Sequence, residues 1–218
     1  MRTKIVLWGA SSHAKVVADI VRLNDTHEIV GFLDDVNVSR HRANFCGATI
    51  LGGLEQLDQL KEQGVAHLIM ALGNNRARLR LAMQARSKGF TLVTAIHPRS
   101  VIGPCVKIGA GTVVMAGAVV NADSAIGENA VINTLAVVEH ECVIHDGAHI
   151  SAGVRLGGGV TVHEAATIEI GAIVGTRLTI GTDSVIGAGA VVLKDIPDRV
   201  LAHGVPARVV RALPDEQI

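Results

Sequence analysis

The residues best placed to do chemistry are Glu139-His140-Glu141. A histidine beside a carboxylate suits a general base, because the negative charge favours the imidazolium formed when the ring accepts a proton. Asn133, His145, Asp146, His149, His163 and Glu164 lie in the same stretch, whereas the chain on either side spends its turns on glycine and alanine. The competing reading is a surface turn with three polar residues. The concentration of histidines in one zone favours the functional one.

A metal must also be weighed. His140 and His145 have the H-x4-H spacing used for a metal in β-helical carbonic anhydrases. Zinc there requires a third histidine from an earlier position, and none lies between Pro98 and Glu139. No metal site is expected, and His145 and His163, eighteen residues apart, are read as stacked surface histidines.

A second set of polar residues sits near the start of the chain: Gly9 to His13, Asp34-Asp35, and Gly73 to Asn75. The first resembles a dinucleotide fingerprint but would need glycines at Ser11 and Ala14. It keeps a turn and a helix N-terminus suited to an anion or a sugar hydroxyl. Each follows an apolar run, so in a parallel sheet all three fall beyond the strands' carboxyl ends, where such folds bind ligands.

The element that must carry the histidine cluster is a repeat. From Val101 to Ile196 the chain divides into sixteen blocks of six with Ile, Val or Leu at the second place of every one. Small residues fill the sixth place, and Gly, Asn, Asp and Glu gather in the third to fifth. A β-branched pair followed by a turn at a fixed period predicts a parallel β-helix whose aliphatic positions stack inward. Three blocks make a triangular coil, so residues eighteen apart stack at roughly 4.8 Å. The six-residue phase never breaks, so any catalytic group sits on the prism's own turns or faces. His140 falls at the fourth place of its block, a corner. Cys142 falls at the sixth, a poor position for a nucleophile.

The first hundred residues alternate differently. Apolar runs at Lys4 to Trp8, Glu28 to Leu33, Ala66 to Leu72 and Thr91 to Ile96 predict strands. Helices are expected near His13 to Leu23, Leu54 to Gly64 and Arg76 to Lys88. The fold expected is a Rossmann-like α/β domain over 1–97, followed over 98–218 by a left-handed parallel β-helix with a short tail. Aromatic content of 2% suits a narrow prism with no room for rings. Twenty basic and twenty acidic residues cancel, so charge gives no reason to expect nucleic acid or an anionic membrane. Cys46, Cys105 and Cys142 are odd in number and scattered, consistent with reduced thiols. No secretory h-region or membrane-spanning run is visible, and a cytoplasmic protein is expected.

Taken together, these residues resemble the left-handed β-helix sugar acetyltransferases of the sialic acid O-acetyltransferase-like group. That group includes bacterial N-acetyltransferases acting on nucleotide-linked 4-amino sugars of the bacillosamine and perosamine type. The resemblance rests on Gly-Ala-Ser-Ser-His at 9–13, Leu-Asp-Asp at 33–35, Ala-Leu-Gly-Asn-Asn at 71–75, Ile-Asn-Thr at 132–134, Glu-His-Glu at 139–141, His149-Ile-Ser, and Gly204-Val-Pro-Ala. It implies a homotrimer with acetyl-CoA lying along the prism between two subunits. It implies His140 as general base with Glu141 raising its basicity, and Asn133 of a neighbouring subunit holding His140 or the substrate. His149 would contact the cofactor near its thioester, and Gly158, Ile170 and Ala188 would line its groove. Ser11, Ser12, His13, Asp34, Asp35 and Gly73 would hold the nucleotide-sugar. Departures are Ser12 where relatives often have glycine, His145 in the turn after the catalytic one, and Glu169 and Ala188 in the cofactor groove. Two alternatives stay open: an O-acetyltransferase using the same base on a sugar hydroxyl, and a non-catalytic scaffold or metal-dependent hydratase.

Overall fold

The apolar run Thr3–Trp8 forms β1, with Ile5 to Trp8 almost wholly buried. The tight turn after it feeds α1 (Ser12–Asn24), which packs Ala14, Val17, Ala18, Ile20 and Val21 inward at helical spacing. There follow β2 (His27–Leu33), β3 (Asn44–Phe45), β4 (Ala48–Gly52), α2 (Leu57–Glu62), β5 (His67–Met70), α3 (Asn75–Ser87) and β6 (Thr91–Leu92). The computed structural model describes residues 2–214, and the chain divides into two compact units, one up to Pro98 and one from Arg99.

In the first unit the strands lie in the order β3-β4-β2-β1-β5-β6, and every pair is parallel except β3 with β4. The chain reverses direction across the sheet between β1 and β5. The loops after those two strands therefore flank the crevice where open α/β sheets bind ligands. The sequence reading missed the β3–β4 hairpin. Its two-residue loop, Cys46-Gly47, has positive φ at both positions, 49° and 76°. That is the primed-turn geometry usually announced by Asn-Gly or Asp-Gly, and a cysteine in the first place hides it. The helix expected from Leu54 opens with a 3-10 turn at Leu54–Gln56 before α2 begins. The strand expected over Thr91 to Ile96 is broken, with Val93-Thr94 between Thr91–Leu92 and Ala95–Ile96.

The second unit is the left-handed parallel β-helix. Its first face stacks Val113–Val114, Val131–Ile132, His149–Ile150, Thr167–Ile168 and Val185–Ile186. The second stacks Val101–Ile102, Val119–Val120, Val137–Val138, Arg155–Leu156, Ile173–Val174 and Val191–Val192. The third stacks Lys107–Ile108, Ala125–Ile126, Val143–Ile144, Thr161–Val162 and Thr179–Ile180. Every one of these pairs joins residues eighteen apart. Aliphatic side chains at the second place and small ones at the sixth fill the interior, as Ile132, Ala136, Val138 and Ile144 show with essentially no exposure. The fifth place of every block from Cys105 to Gly189 has positive φ, between 52° and 76°. The sharp corner demands that conformation, so glycine recurs there, and Asp123, Asn129, Glu141 and Arg177 adopt it at a small conformational cost. The phase ends at Asp195, where Ile196 bridges Ile180 sixteen residues back, and an antiparallel hairpin, Val200–Gly204 with Ala207–Ala212, closes the column. Among the described residues no helix is long and apolar enough to cross a membrane.

Candidate active site

Glu139-His140-Glu141 turns the corner between the second and third faces. His140 Nδ1 lies 3.0 Å from Glu141 Oε2. A carboxylate can only accept, so Nδ1 carries the hydrogen and Nε2 is left as the basic nitrogen. The two side chains are 59% and 70% exposed, so the pair adds little to stability. Its geometry is instead set from one coil above. A Cβ on Gly158, eighteen residues on, would lie 2.6 Å from His140 Cε1 and 2.7 Å from Nε2. The ring thus rests directly on that backbone, and only glycine leaves room for it. His140, Glu141, Gly158, Gly159, Thr176 and Arg177 line one cleft of about 350 Å³. Glu139 takes no part in the pair, because its carboxylate accepts from Asn121 Nδ2 at 2.8 Å, one coil below.

The remaining residues expected in the prism gather at another edge. Asn133 closes the first face, where its Oδ1 accepts from Thr134 N at 2.7 Å. That contact orients the amide, so Nδ2 donates to His149 Nε2 at 3.1 Å. Ile170 and Ala188 occupy successive fourth places at this same first-to-second corner, both exposed. Within one chain, then, Gly158 shares a corner with His140, while Asn133, His149, Ile170 and Ala188 share a different one. His145 and His163 lie at the third corner with rings stacked 4.9 Å apart and 14° from parallel. Among the described residues no group of three or more His, Cys, Asp or Glu is arranged to hold a metal ion.

In the first unit the expected binding residues also serve the fold. Ser11 is the N-cap of α1 but makes no side-chain cap, and Ser12 is exposed beside it. A Cβ on Gly9 would lie 2.4 Å from the Ala71 carbonyl oxygen, so the close approach of β1 and β5 explains that glycine. Asp34 is buried. Burial pushes its carboxyl up, but hydrogen bonds from the Asn37 N–H, the Asn37 amide and the Val36 N–H, with Arg40 nearby, hold it below the usual range. Asp35 accepts from Trp8 Nε1 at 2.6 Å and from Leu54 N at 2.7 Å. Gly73 is exposed with open space around its Cα, and Asn74 caps α3 by accepting from Ala77 N at 2.8 Å.

Two side chains escaped the sequence reading. Arg177 looked like an ordinary turn residue, yet its corner places it in the cleft with His140. Arg78 reads as one of several arginines on α3 but is 1% exposed. It turns back to donate to Leu72 O at 3.0 Å and Asn75 Oδ1 at 2.9 Å, beneath the loop after β5. The Asn75-x-x-Arg78 spacing, one helical turn, was the available signal. Burial lowers the Arg78 guanidinium to about 10. Burial, with the Arg78 charge second, lowers the His13 imidazole to about 4.

Comparison with known proteins places both units. Residues 4–85 match the model of the PglD N-terminal domain, and residues 123–158 match the bacterial transferase hexapeptide (six repeats). One similar solved structure is a histidine-to-asparagine variant of perosamine N-acetyltransferase from Caulobacter crescentus in complex with CoA and GDP-perosamine. It is 42% identical over 95% of this chain and 97% of that one, with a TM-score of 0.91. Another is the acetyltransferase domain of PglB from Neisseria gonorrhoeae FA1090 in complex with acetyl coenzyme A. It is 36% identical over 96% of this chain and 100% of that one, with a TM-score of 0.90. WeeI from Acinetobacter baumannii AYE is 26% identical over 95% of this chain and 100% of that one, with a TM-score of 0.85. No curated protein sequence matches the chain.

Proposed function

This chain belongs to the hexapeptide-repeat, acetyl-CoA-dependent sugar N-acetyltransferases with a PglD-type N-terminal domain, and we propose that it acetylates the amine of a nucleotide-linked 4-amino-4,6-dideoxy sugar. The observation that carries this reading is the pose of His140. Nδ1 is tied to Glu141 at 3.0 Å, and the basic Nε2 lies against Gly158 in the cleft.

The thioester of acetyl-CoA supplies the activated acyl group. His140 Nε2 takes a proton from the neutral sugar amine as its nitrogen bonds to the carbonyl carbon, the carbon–sulfur bond breaks, and the sulfur leaves as the thiolate. Glu141 steadies the positive charge that appears on the ring and fixes the tautomer that leaves Nε2 basic. The bare backbone at Gly158 keeps the ring where the nitrogen can reach it, and Arg177 brings positive charge to a cleft that must receive phosphorylated ligands. No covalent enzyme intermediate is needed: Cys142 is buried, and burial raises its thiol away from the reactive thiolate form.

We assign the nucleotide to the loops of the first unit, Ser11 to His13, Asp34-Asp35 and Gly73, with Arg78 providing a buried cation beneath them. The division of the expected cofactor residues between two corners supports a homotrimer. A second copy would bring the corner of Asn133, His149, Ile170 and Ala188 against the His140 corner of the first. The alternative of a sugar O-acetyltransferase has no observation in this structure in its favour.

The test is acetyl-CoA consumption, followed by free thiol, with UDP-, GDP- and dTDP-linked 4-amino sugars and with sialic acid. Turnover is expected with an amino sugar nucleotide and not with sialic acid. His140→Ala should lower kcat by a factor on the order of 10² to 10⁴ without unfolding the protein. Near-normal turnover in that variant would remove His140 as the base, and turnover of sialic acid alone would replace the substrate class.

A further inference from the structure

Corners between the first and second faces are closed by a direct hydrogen bond. The carbonyl at the third place accepts from the N–H at the sixth: Asn133 from Ala136 at 3.1 Å, Ser151 from Val154 at 3.3 Å, Glu169 from Ala172 at 3.1 Å and Gly187 from Ala190 at 3.2 Å. The corner that carries His140 is built differently. Ser124 Oγ, from the coil below, donates to Glu139 O at 2.9 Å and accepts from Cys142 N at 3.1 Å. A hydroxyl thus bridges the two groups across the turn through His140 and Glu141, tying that turn to the coil below from inside.

The next turn on the same edge is treated in the same way. Cys142 Sγ donates to Gly157 O at 3.3 Å, beside the Gly158 backbone on which the His140 ring rests. Ser124 and Cys142 are both buried, at 1% and 0% exposure, where most sixth places hold Ala or Val. Thr112 shows that the device does not depend on the chemistry at the corner. Its Oγ1 donates to Gly127 O at 2.7 Å and accepts from Ala130 N at 3.0 Å, bridging a turn with no catalytic group.

We propose that Ser124 is a positioning residue for the reaction: by bridging Glu139 O and Cys142 N it sets the backbone of the turn that aims His140 into the cleft. The proposal rests on the reading of His140 as the general base. Alanine at 124 would leave the Glu139 carbonyl and the Cys142 N–H without the hydroxyl that bridges them. The His140 Cα and ring would then shift relative to Gly158, and the reacting geometry tolerates little displacement.

The experiment measures kcat, both KM values and Tm for Ser124→Ala, Ser124→Thr and Thr112→Ala, with His140→Ala as reference. Ser124→Ala should lower kcat by a factor on the order of 10 to 10² with KM little changed. Ser124→Thr should restore most of the turnover, since Thr112 makes the same bridge. Thr112→Ala should lose comparable Tm and keep its kcat. If Ser124→Ala does not fold, Ser124→Cys carries the test, because Cys142 shows that a thiol fits this place. Its kcat should then fall below that of the threonine variant. Wild-type kcat in Ser124→Ala, an equal kcat loss in Thr112→Ala, or no recovery in Ser124→Thr overturns the proposal. An active His140→Ala would instead sink the base assignment. An inactive His140→Ala beside a fully active Ser124→Ala sinks only the role of Ser124.

Discussion

The two units of this protein treat their polar residues in opposite ways. In the prism the fold is carried by second and sixth places, so the exposed fourth and fifth places are left for chemistry. His140 and Glu141 are exposed and contribute little to stability, and the residues that hold them in place are buried elsewhere. In the α/β unit the side chains proposed to hold the nucleotide also hold the fold together. Asp34 ties down the turn after β2, Asp35 holds the buried Trp8, and His13 is packed beside Arg78. A repeating scaffold separates architecture from function, whereas a layered sheet with converging loops overlays them. Substitutions and pH should therefore act on turnover in one unit and on stability in the other.

The largest effect expected from this contrast is acid sensitivity of the α/β unit. The His13 pKa falls from 6.5 to about 4 on folding, so between those values the unfolded chain binds a proton that the folded one does not. Stability is then intact above pH 6.5 and declines as pH falls toward 4, by up to about 3 kcal/mol. Trp8 is the only tryptophan and sits in this unit, so urea unfolding followed by its fluorescence reads the effect directly. His13→Gln should flatten the profile. An unchanged acid slope in that variant would mean that other groups govern it.

Next comes Gly158→Ala, which should act on turnover alone. The backbone at 158 lies outside the left-handed region, so a Cβ is strained only by its 2.6 Å approach to His140. Moving that ring by roughly an ångström should cost kcat about 10²-fold, with Tm nearly unchanged. A normal kcat would show that the pose of His140 over Gly158 is not the reacting one.

The smallest effect is a mixed one. Asp35→Ala leaves the buried Trp8 N–H without its acceptor and should cost about 1 to 2 kcal/mol of stability. It should also raise KM for the nucleotide-sugar. Loss of stability with KM unmoved would make Asp35 purely structural and narrow the proposed nucleotide site to the other loops.

Much of this protein was determined by the sequence alone, because a β-helix repeats a local rule. Each block of six must supply an inward aliphatic, a small inward residue and a turn, so the period, the corners and the eighteen-residue stacking were all visible without coordinates. The polar exception Glu139-His140-Glu141 was legible for the same reason. The α/β unit was legible in its long apolar strands but not in the β3–β4 hairpin, whose Cys46-Gly47 turn lacks the usual residues. Only the tertiary structure decided which residues from different coils meet. No local pattern says that Gly158 bears on the His140 ring, that Arg177 enters the same cleft, or that Arg78 folds back under the loop after β5. Nor does it show that Ser124 bridges the turn above it. Those contacts depend on register between stacked coils and on the direction a long side chain takes from its helix, and both are fixed by packing across the chain rather than along it.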